Sequence, residues 1–461
     1  MTFPNNVLNV KLFLAAVTSR MLAAPLNSKY KTKEFEFYLK DISSDVLVIP
    51  AEGNACAYEA ALLLDIPVCT LTQSEDGHTN TLTVKSDPAG KLKDATPTEA
   101  SEGSVDDKAL FLHTSGTTGM PKGVPLTHRN LMATVNNIAT HYAFDSKDCG
   151  YLVMPLFHVH GLMCGLLAPL STGGTVVLPG NGGAFSATNF WVDFVANECT
   201  WYTAVPSIHQ ILLLRAPQDY PASNPPKIRF IRSCSSSLAP VVMQRLEQTF
   251  HAPVIEAYAM SEAAHMMTSN PLPANGPTKP GSVGVGVNVE LTIRDDANNE
   301  VAQGQTGEVC VKGPNVTAGY HSRPEANQEA FLGGWFHTGD QGYLDAEGYL
   351  FLTGRIKELI NRGGEKISPV EVDGILLAHP KVGEAVSFAA PHEILGEVVA
   401  AAVVPKANEQ LTDTEIIDYC KQQLSAFKVP TLVFVVDDFP RTATGKIQRR
   451  IVAKHFLEKK E

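Results

Sequence analysis

The stretch Thr114-Ser-Gly-Thr-Thr-Gly-Met-Pro-Lys-Gly123 holds three glycines, four hydroxyl side chains and one lysine within ten residues. Glycine lets the backbone turn and approach an anion closely, while hydroxyls and backbone amides donate hydrogen bonds to its oxygens. Lys122 adds a positive charge, so the stretch predicts a phosphate-binding loop. No Gly-Lys-Ser/Thr run opens a helix here, which disfavours the Walker type of nucleotide-binding protein. Taken alone, the stretch could equally be an ordinary glycine-rich surface loop.

Four further motifs follow along the chain. They are Phe157-His-Val-His-Gly161, Tyr258-Ala-Met-Ser-Glu262, Thr338-Gly-Asp340 with Gly354-Arg355, and Pro440-Arg-Thr-Ala-Thr-Gly-Lys446. Together with the loop they resemble, in the same order, the motifs of the adenylate-forming superfamily. These AMP-binding, acyl-activating enzymes include acyl-CoA synthetases, firefly luciferases and the adenylation domains of peptide synthetases. The resemblance extends from residue 114 to residue 446.

The pattern of apolar residues predicts an α/β fold. Before residue 281, short apolar or β-branched runs alternate with helical patterns, which favours parallel sheets covered by helices. The predicted strands are 46–49, 151–154, 175–178, 201–205, 228–231 and 253–256, and the predicted helices are 8–21, 130–142, 190–197 and 240–250. From Gly281 to Thr353, turn-forming residues between short strands predict antiparallel β structure. The segment 86–108 has the composition of a flexible surface linker.

The resemblance implies two domains. A large N-terminal AMP-binding domain, residues 1–353, would combine parallel-rich sheets and helices with a small antiparallel β subdomain. A hinge at residues 354–358, centred on Lys357, would join it to a small mobile α+β domain, residues 359–461. Phe3-Pro-Asn-Asn and the helix after it resemble a segment that family members reach only after several dozen residues. The chain is therefore expected to lack the family's first strand and helices.

Composition excludes several kinds of partner. The apolar fraction of 44% and the charged fraction of 18% are those of an ordinary globular protein, and a formal charge of −11 disfavours nucleic acid and anionic membranes as main partners. Eight scattered cysteines, none in a Cys-x-x-Cys pair, predict reduced thiols without a zinc site or a disulfide framework. Neither a membrane span, a secretory signal nor a C-terminal peroxisomal address is recognisable, so the sequence predicts a cytoplasmic protein of undetermined oligomeric state.

The resemblance implies a site for ATP and Mg²⁺ at these motifs. Asp340 would accept hydrogen bonds from the ribose hydroxyls, Arg355 would contact the ribose or the phosphates, and Tyr258 would stack on adenine. Glu262, together with Thr118, would hold Mg²⁺, a hard ion that prefers carboxylate and phosphate oxygens. The full set of expected ATP-binding residues is Thr114, Ser115, Gly116, Thr117, Thr118, Gly119, Lys122, Ser235, Ser236, Ser237, Glu256, Ala257, Tyr258, Asp340, Arg355 and Lys446.

The resemblance also implies two reactions at one site. Lys446 would reach the acid and the α-phosphate during adenylation, where a mobile ammonium group stabilises developing negative charge. The small domain would then rotate about Lys357 and bring Gly363 and Gly364 to the site, where the absence of side chains lets the pantetheine arm of coenzyme A pass. Taken without its motif, each of these residues would be interpreted as an ordinary turn or surface residue.

The residues of the expected acyl pocket are unusually polar. His158 matches the family's histidine at the pocket entrance, and it is counted with Lys446 as catalytic. His160 and His265 stand where many relatives carry aromatic, apolar or small residues, and the run Ser233-Cys-Ser-Ser-Ser237 adds hydroxyls, Ser235 among them. A hydrocarbon chain would leave such groups unpaired, at about 1–3 kcal/mol each, whereas a second carboxylate would satisfy them. The alternative is that these histidines make structural hydrogen bonds in the core.

These motifs resemble the oxalate–CoA ligases most closely. The expected activity is an ATP-dependent acid–CoA ligase that forms an acyl adenylate and then a thioester, with oxalate as the favoured acid. Two alternatives stay open: a ligase for another short acid or for an aryl acid of the 4-coumarate kind, and an inactive, truncated nucleotide-binding homologue.

Overall fold

The computed structural model of the chain describes residues 1–75, 77–93, 102–114, 121–180, 182–442 and 447–458. Its first sheet consists of β1 (Leu47–Pro50), β2 (Val68–Gln73) and β3 (Asn80–Ser86), with helices α1 (Val7–Thr18), α2 (Thr32–Asp41) and α3 (Ala55–Leu63). The strand predicted at 46–49 is confirmed. The helix predicted at 8–21 is confirmed but ends at Thr18, because Arg20 has a positive φ of 59°. Residues 94–101 of the predicted linker lie outside the described residues.

A β-hairpin carries the predicted phosphate loop. Strands β4 (Lys108–His113) and β5 (Gly123–Thr127) are antiparallel, and their last pair joins His113 to Gly123. Residues 115–120 connect them and lie outside the described residues. The sequence suggested that Gly123 serves the turn, but Gly123 is the first residue of β5. A Cβ atom at this position would meet the Phe111 ring at 2.4 Å. Close packing, and not backbone freedom, requires glycine there.

The largest sheet has seven strands and alternates with helices, as predicted. Five strands run parallel in the order β10, β9, β8, β6, β7, and β11 and β12 extend the sheet as antiparallel strands beyond β10. These strands are β6 (Cys149–Leu152), β7 (Thr175–Val177), β8 (Trp201–Ala204), β9 (Phe230–Cys234), β10 (Val254–Met260), β11 (His265–Ser269) and β12 (Val285–Gly286). The associated helices are α4 (His128–His141), α5 (Ala168–Ser171), α6 (Phe190–Ala196), α7 (Pro206–Asp219) and α8 (Pro240–Phe250), with a π-helix at His160–Leu167.

The antiparallel subdomain predicted between residues 281 and 353 is confirmed. It consists of β13 (Glu290–Arg294), β14 (Gly307–Lys312), β15 (Phe336–Leu344) and β16 (Leu350–Arg355), with α9 (Pro324–Ala330) beside it. All three strand pairs are antiparallel. A hairpin tip lies at Asp295, whose Oδ1 atom accepts hydrogen bonds from the backbone N–H groups of Ala297 and Asn299.

The last hundred residues form an α+β unit with its own cores. Its five strands are β17 (Ile360–Arg362), β18 (Glu365–Ile367), β19 (Val382–His392), β20 (Gly396–Pro405) and β21 (Leu432–Val435), and its helices are α10 (Pro369–Ala378), α11 (Asp413–Gln423) and α12 (Arg449–Leu457). Two separate apolar clusters pack against this sheet. The 3₁₀ turn Ile356–Glu358 precedes the unit and coincides with the predicted hinge, whose movement stays a prediction.

The described part of the chain contains no helix that is both long and apolar enough to cross a membrane.

All eight cysteines are free thiols. The four-stranded sheet brings Cys310 next to Glu308 and His337, a group that the sequence did not predict. His337 Nδ1 lies 2.8 Å from Glu308 Oε2, and burial, followed by the charge of Glu308, raises the pKa of the Cys310 thiol to about 12. The thiol is therefore protonated near pH 7.

Candidate active site

The expected acyl pocket lies at the carboxyl ends of the parallel strands, where open α/β sheets bind their ligands. The π-helix begins there at His160, and π-helical turns are often found at functional sites. Glycine at position 161 lets the π-helix pack against the backbone before it, since a Cβ atom at this position would lie 2.3 Å from the carbonyl oxygen of Pro155. His158 stands just before the helix, half-buried, and its Nδ1 atom accepts a hydrogen bond from the backbone of His160.

His160 is fully buried and connects two strands. Its Nε2 atom lies 2.6 Å from Thr203 Oγ1 on β8, and its Nδ1 atom lies 3.1 Å from Ser235 Oγ at the end of β9. Ser235 has a positive φ of 78°, which turns the chain out of the sheet immediately after Cys234. Of the serine run, Ser235 is therefore the member that joins the pocket, while Ser236 and Ser237 are exposed beyond it.

His265 completes the pocket in a strained conformation. Its ring stacks on that of His160, with centroids 5.2 Å apart and planes 26° from parallel. His265 has a positive φ of 129° beside a β-bulge between β10 and β11, and Ala264 before it is also left-handed. Strained backbone at a non-glycine residue is costly and clusters at functional sites. The structure thus brings together His160, His265 and Ser235, the three predicted substrate-binding residues.

An arginine that sequence reasoning missed lies behind these histidines. Arg232 is fully buried on β9, its Nη1 atom donates to Thr203 Oγ1 at 3.2 Å, and the same atom lies 3.5 Å from His160 Nε2. Its Nε atom donates to the Tyr142 hydroxyl at 2.7 Å. The parallel pairing of β8 with β9 is what sets Arg232 beside Thr203, and the register pairs these two residues directly. An arginine within an apolar strand was the available hint.

Three predicted nucleotide-binding residues form one hydrogen-bonded group. Asp340 and Arg355 are cross-strand partners on β15 and β16, and Arg355 Nε lies 3.1 Å from Asp340 Oδ1. The Tyr258 hydroxyl, from β10, donates to Asp340 Oδ2. Burial raises the pKa of Asp340, and the charge of Arg355 opposes that shift. The acceptor carboxylate expected for a ribose therefore stands beside an aromatic ring and a guanidinium group.

The predicted Mg²⁺ ligand Glu262 is buried in a short 3₁₀ turn. Its Oε1 atom accepts a 2.8 Å hydrogen bond from the hydroxyl of Tyr320, another residue that the sequence did not single out. Lys122 lies over the Tyr320 ring, with Nζ 4.5 Å from its centroid, so the base of the phosphate loop reaches the same place. Burial raises the pKa of Glu262, while the hydrogen bond from Tyr320 and the nearby positive charges lower it.

Glu256 and Ala257 lie inside β10, next to Tyr258. Glu256 Oε1 accepts a hydrogen bond from the backbone of Leu238, just beyond the serine run, but Oε2 is buried with no hydrogen-bond partner among the described residues. Burial raises the pKa of Glu256 to about 8. The carboxyl group therefore holds a proton at neutral pH and can both donate and accept a hydrogen bond.

Replacing Glu256 with glutamine is expected to stabilise the protein at alkaline pH. A carboxyl group whose pKa rises from 4.5 to about 8 on folding binds extra protons in the folded state, so the free energy of unfolding falls as pH increases between these values. At about 1.4 kcal/mol per pH unit, the difference between wild type and variant reaches up to about 5 kcal/mol by pH 9. Urea denaturation from pH 4 to pH 9 measures this.

Glu300, an exposed acid, provides the control for Glu256: the Glu300→Gln curve should run parallel to that of wild type at every pH. Parallel curves for wild type and Glu256→Gln would contradict the buried, protonated state of Glu256.

The remaining predicted residues lie elsewhere or outside the described residues. Gly363 and Gly364 form the exposed turn between β17 and β18, with positive φ values of 60° and 96° that favour glycine. Lys357 is exposed in the 3₁₀ turn before β17. Thr114 ends the described part of the hairpin, where its backbone N–H donates to the carbonyl of Lys122. The predicted residues outside the described ranges are Ser115, Gly116, Thr117, Thr118, Gly119 and Lys446.

The chain is similar to known proteins along its whole length. The chain matches the family of AMP-binding enzymes over residues 1–321 and the AMP-binding enzyme C-terminal domain over residues 371–446. It is 54% identical to an oxalate–CoA ligase of Arabidopsis thaliana, over all of this chain and 88% of that protein. It is 45% identical to an oxalate–CoA ligase of Saccharomyces cerevisiae, over 97% of this chain and 84% of that protein.

Among solved structures, ATP-bound MatB from Rhodopseudomonas palustris superimposes with a TM-score of 0.87 at 28% identity, covering all of this chain and 88% of that one. The chain thus shares its fold with a protein that binds ATP. The chain belongs to the family of AMP-binding enzymes.

Proposed function

We propose that the chain is an ATP-dependent oxalate–CoA ligase. In the first reaction, a carboxylate oxygen of the acid attacks the α-phosphorus of ATP and pyrophosphate leaves, which gives an acyl adenylate. In the second, the thiolate of coenzyme A attacks the acyl carbon and AMP leaves, which gives the thioester. Both steps require stabilisation of developing negative charge at one site.

The stacked pair of buried histidines is the observation that carries the choice of acid. His160, His265 and Ser235 present polar atoms where a fatty or aryl acid would place carbon. The half-buried Ser235 hydroxyl would lose its contact with water against a hydrocarbon chain, which costs about 1–3 kcal/mol. The second carboxylate of oxalate would offer this hydroxyl an acceptor.

The nucleotide group gives the other half of the argument. Asp340 would accept hydrogen bonds from the ribose hydroxyls, Tyr258 would stack on the adenine ring, and Arg355 would contact ribose or phosphate. The backbone near Ser235 and Glu256 would line the adenine pocket, where Glu256 in its protonated form has one oxygen available. Lys446 would supply the mobile positive charge for adenylation, and Thr114 and Lys122 flank the loop that would hold the phosphates.

A Mg²⁺ ion accompanies ATP in this reaction class, and Glu262 fits such an ion. Its buried carboxylate has an oxygen beyond the one that Tyr320 holds, and hard carboxylate oxygens suit Mg²⁺. Thr118 would be a second ligand. When bound, the ion neutralises phosphate charge. In the second half-reaction, rotation about Lys357 would bring Gly363 and Gly364 to the site for coenzyme A.

The test is pyrophosphate release by the purified protein with Mg-ATP and coenzyme A. Oxalate should be used in strong preference to acetate, malonate, 4-coumarate and octanoate. Turnover of octanoate or 4-coumarate in place of oxalate would overturn the choice of acid and keep the reaction class. If ATP raises the melting temperature but no acid releases pyrophosphate, the protein is an inactive nucleotide-binding homologue. Location in the cytoplasm stays a prediction from the sequence.

A further inference from the structure

Arg232 holds a positive charge in a place that contains no negative one. It is fully buried, and no Asp or Glu of the described residues lies within ion-pair distance of it. Its Nη2 atom has no hydrogen-bond partner among these residues. Because guanidinium is not deprotonated in proteins, the charge is permanent. Burying an ion without a counter-ion is strongly unfavourable, so the site invites an anion from outside the chain.

Tyr142 and Cys164, two side chains near Arg232 that can ionise to anions, do not neutralise it. His160, also near Arg232, is neutral or positive and supplies no negative charge. Burial raises the pKa of the Tyr142 hydroxyl to about 12 and that of the Cys164 thiol to about 11, so both are neutral near pH 7. Buried charges in proteins are ordinarily paired, which makes this exception informative.

A chain of hydrogen bonds leads from Arg232 to the pocket. The guanidinium Nη1–H group donates to Thr203 Oγ1, which lies 2.6 Å from His160 Nε2. Because Arg232 can only donate, it favours the form of His160 in which Nε2 accepts and Nδ1 carries the hydrogen. Nδ1–H then donates to Ser235 Oγ at 3.1 Å. Each donor thus points away from Arg232, and the half-buried Ser235 hydroxyl can offer its hydrogen to a ligand.

We propose that Arg232 is a specificity-determining residue: its buried positive charge, acting through Thr203, His160 and Ser235, selects an acid that carries a second carboxylate. This inference rests on the proposed function, and it names the source of the selectivity. A chain of aligned donors that starts at a cation is polarised toward an anion at its far end. An acid of the same shape with a neutral group in that place gains much less from it.

Oxamate is the matched probe, because an amide replaces one carboxylate of oxalate with almost no change in shape. The experiment measures KM for oxalate and Ki for oxamate as a competitive inhibitor, by pyrophosphate release with Mg-ATP and coenzyme A. The variants are Arg232→Gln and Arg232→Lys. Both can donate a hydrogen bond to the Tyr142 hydroxyl, but lysine alone keeps the charge.

We expect Arg232→Gln to raise KM for oxalate about 10- to 100-fold, with Ki for oxamate changed less than about threefold, as the loss of a charge-assisted interaction implies. Since the charge acts on the bound acid before and during the reaction, kcat should change far less than KM. Arg232→Lys should keep KM within about tenfold of wild type. The control Lys227→Met removes an exposed charge near β9 and should change neither constant.

Equal losses for oxalate and oxamate in Arg232→Gln, or a glutamine variant that uses oxalate better than the lysine variant does, would overturn the proposal. So would a glutamine variant that fails to fold while the lysine variant folds, because the charge would then serve the fold. If neither folds, wild-type enzyme decides: oxamate that binds within threefold of oxalate would refute charge selection, and weaker binding would support it. Wild-type enzyme that releases no pyrophosphate with oxalate refutes the proposed function itself.

Discussion

Replacing Asp340 with asparagine is expected to lower kcat/KM for ATP by about 100-fold. The buried carboxylate serves Tyr258 through one oxygen and Arg355 through the other, at 3.1 Å. Asparagine has a single oxygen, so its NH₂ group must face the guanidinium group or the phenol hydroxyl. Either choice removes a charge-assisted hydrogen bond and weakens the acceptor proposed for the ribose, each worth about 1.5–3 kcal/mol. ATP–pyrophosphate exchange with saturating acid measures the change.

Asp296, which is exposed in the loop after β13, provides the matched control for Asp340. Asp296→Asn also removes one negative charge, and its kcat/KM should equal that of wild type. If Asp340→Asn exchanged pyrophosphate at the wild-type rate, the assignment of this group to the nucleotide would be wrong.

Replacing Gly161 with alanine is expected to cost about 3 kcal/mol or more of the free energy of unfolding. A Cβ atom there would lie 2.3 Å from the carbonyl oxygen of Pro155 and 2.6 Å from that of Met154. Both neighbours are backbone atoms, which cannot rotate away, so the π-helix must shift as a whole. Overpacking of this kind costs about 1–3 kcal/mol in general and more where nothing can yield. Because His160 precedes Gly161, activity should fall with stability.

Gly374, inside α10, is the opposite case. No heavy atom lies within 4 Å of a Cβ built there. Gly374→Ala should therefore stabilise the chain by about 0.5–1 kcal/mol, as alanine does within a helix. Urea denaturation of both variants makes the comparison, and an unchanged midpoint for Gly161→Ala would contradict the expected clash with the Pro155 carbonyl.

Much of the fold follows from patterns within single segments. Helix α8 begins at Pro240 and ends at Phe250, as its apolar periodicity predicts, and the turn-forming residues between 281 and 353 correctly indicate antiparallel strands. Gly123 was misinterpreted because sequence shows a glycine but not the ring of Phe111 packed on it. The π-helix at His160 and the bulge at His265 also escape prediction, since both depend on how neighbouring strands and turns pack.

The candidate site also contains residues that the sequence identifies and residues that it does not. Residues that carry motifs, such as Asp340, Arg355 and His160, could be singled out from the sequence. The structure places Asp340 beside Arg355, and His160 beside Ser235. Arg232 and Tyr320 could not, because their meaning comes from the strand register and from contacts with residues far along the chain. A charged residue within an apolar strand is a pattern that sequence reasoning can look for.

The left-handed backbone at His265 limits how this position can be redesigned. At a φ of 129°, every side chain is penalised and glycine alone is at ease. Glycine, however, would also remove the buried ring that stacks on His160. A designer who wishes to change the acid therefore cannot vary this side chain freely, because each choice alters the backbone strain and the packing on His160 together.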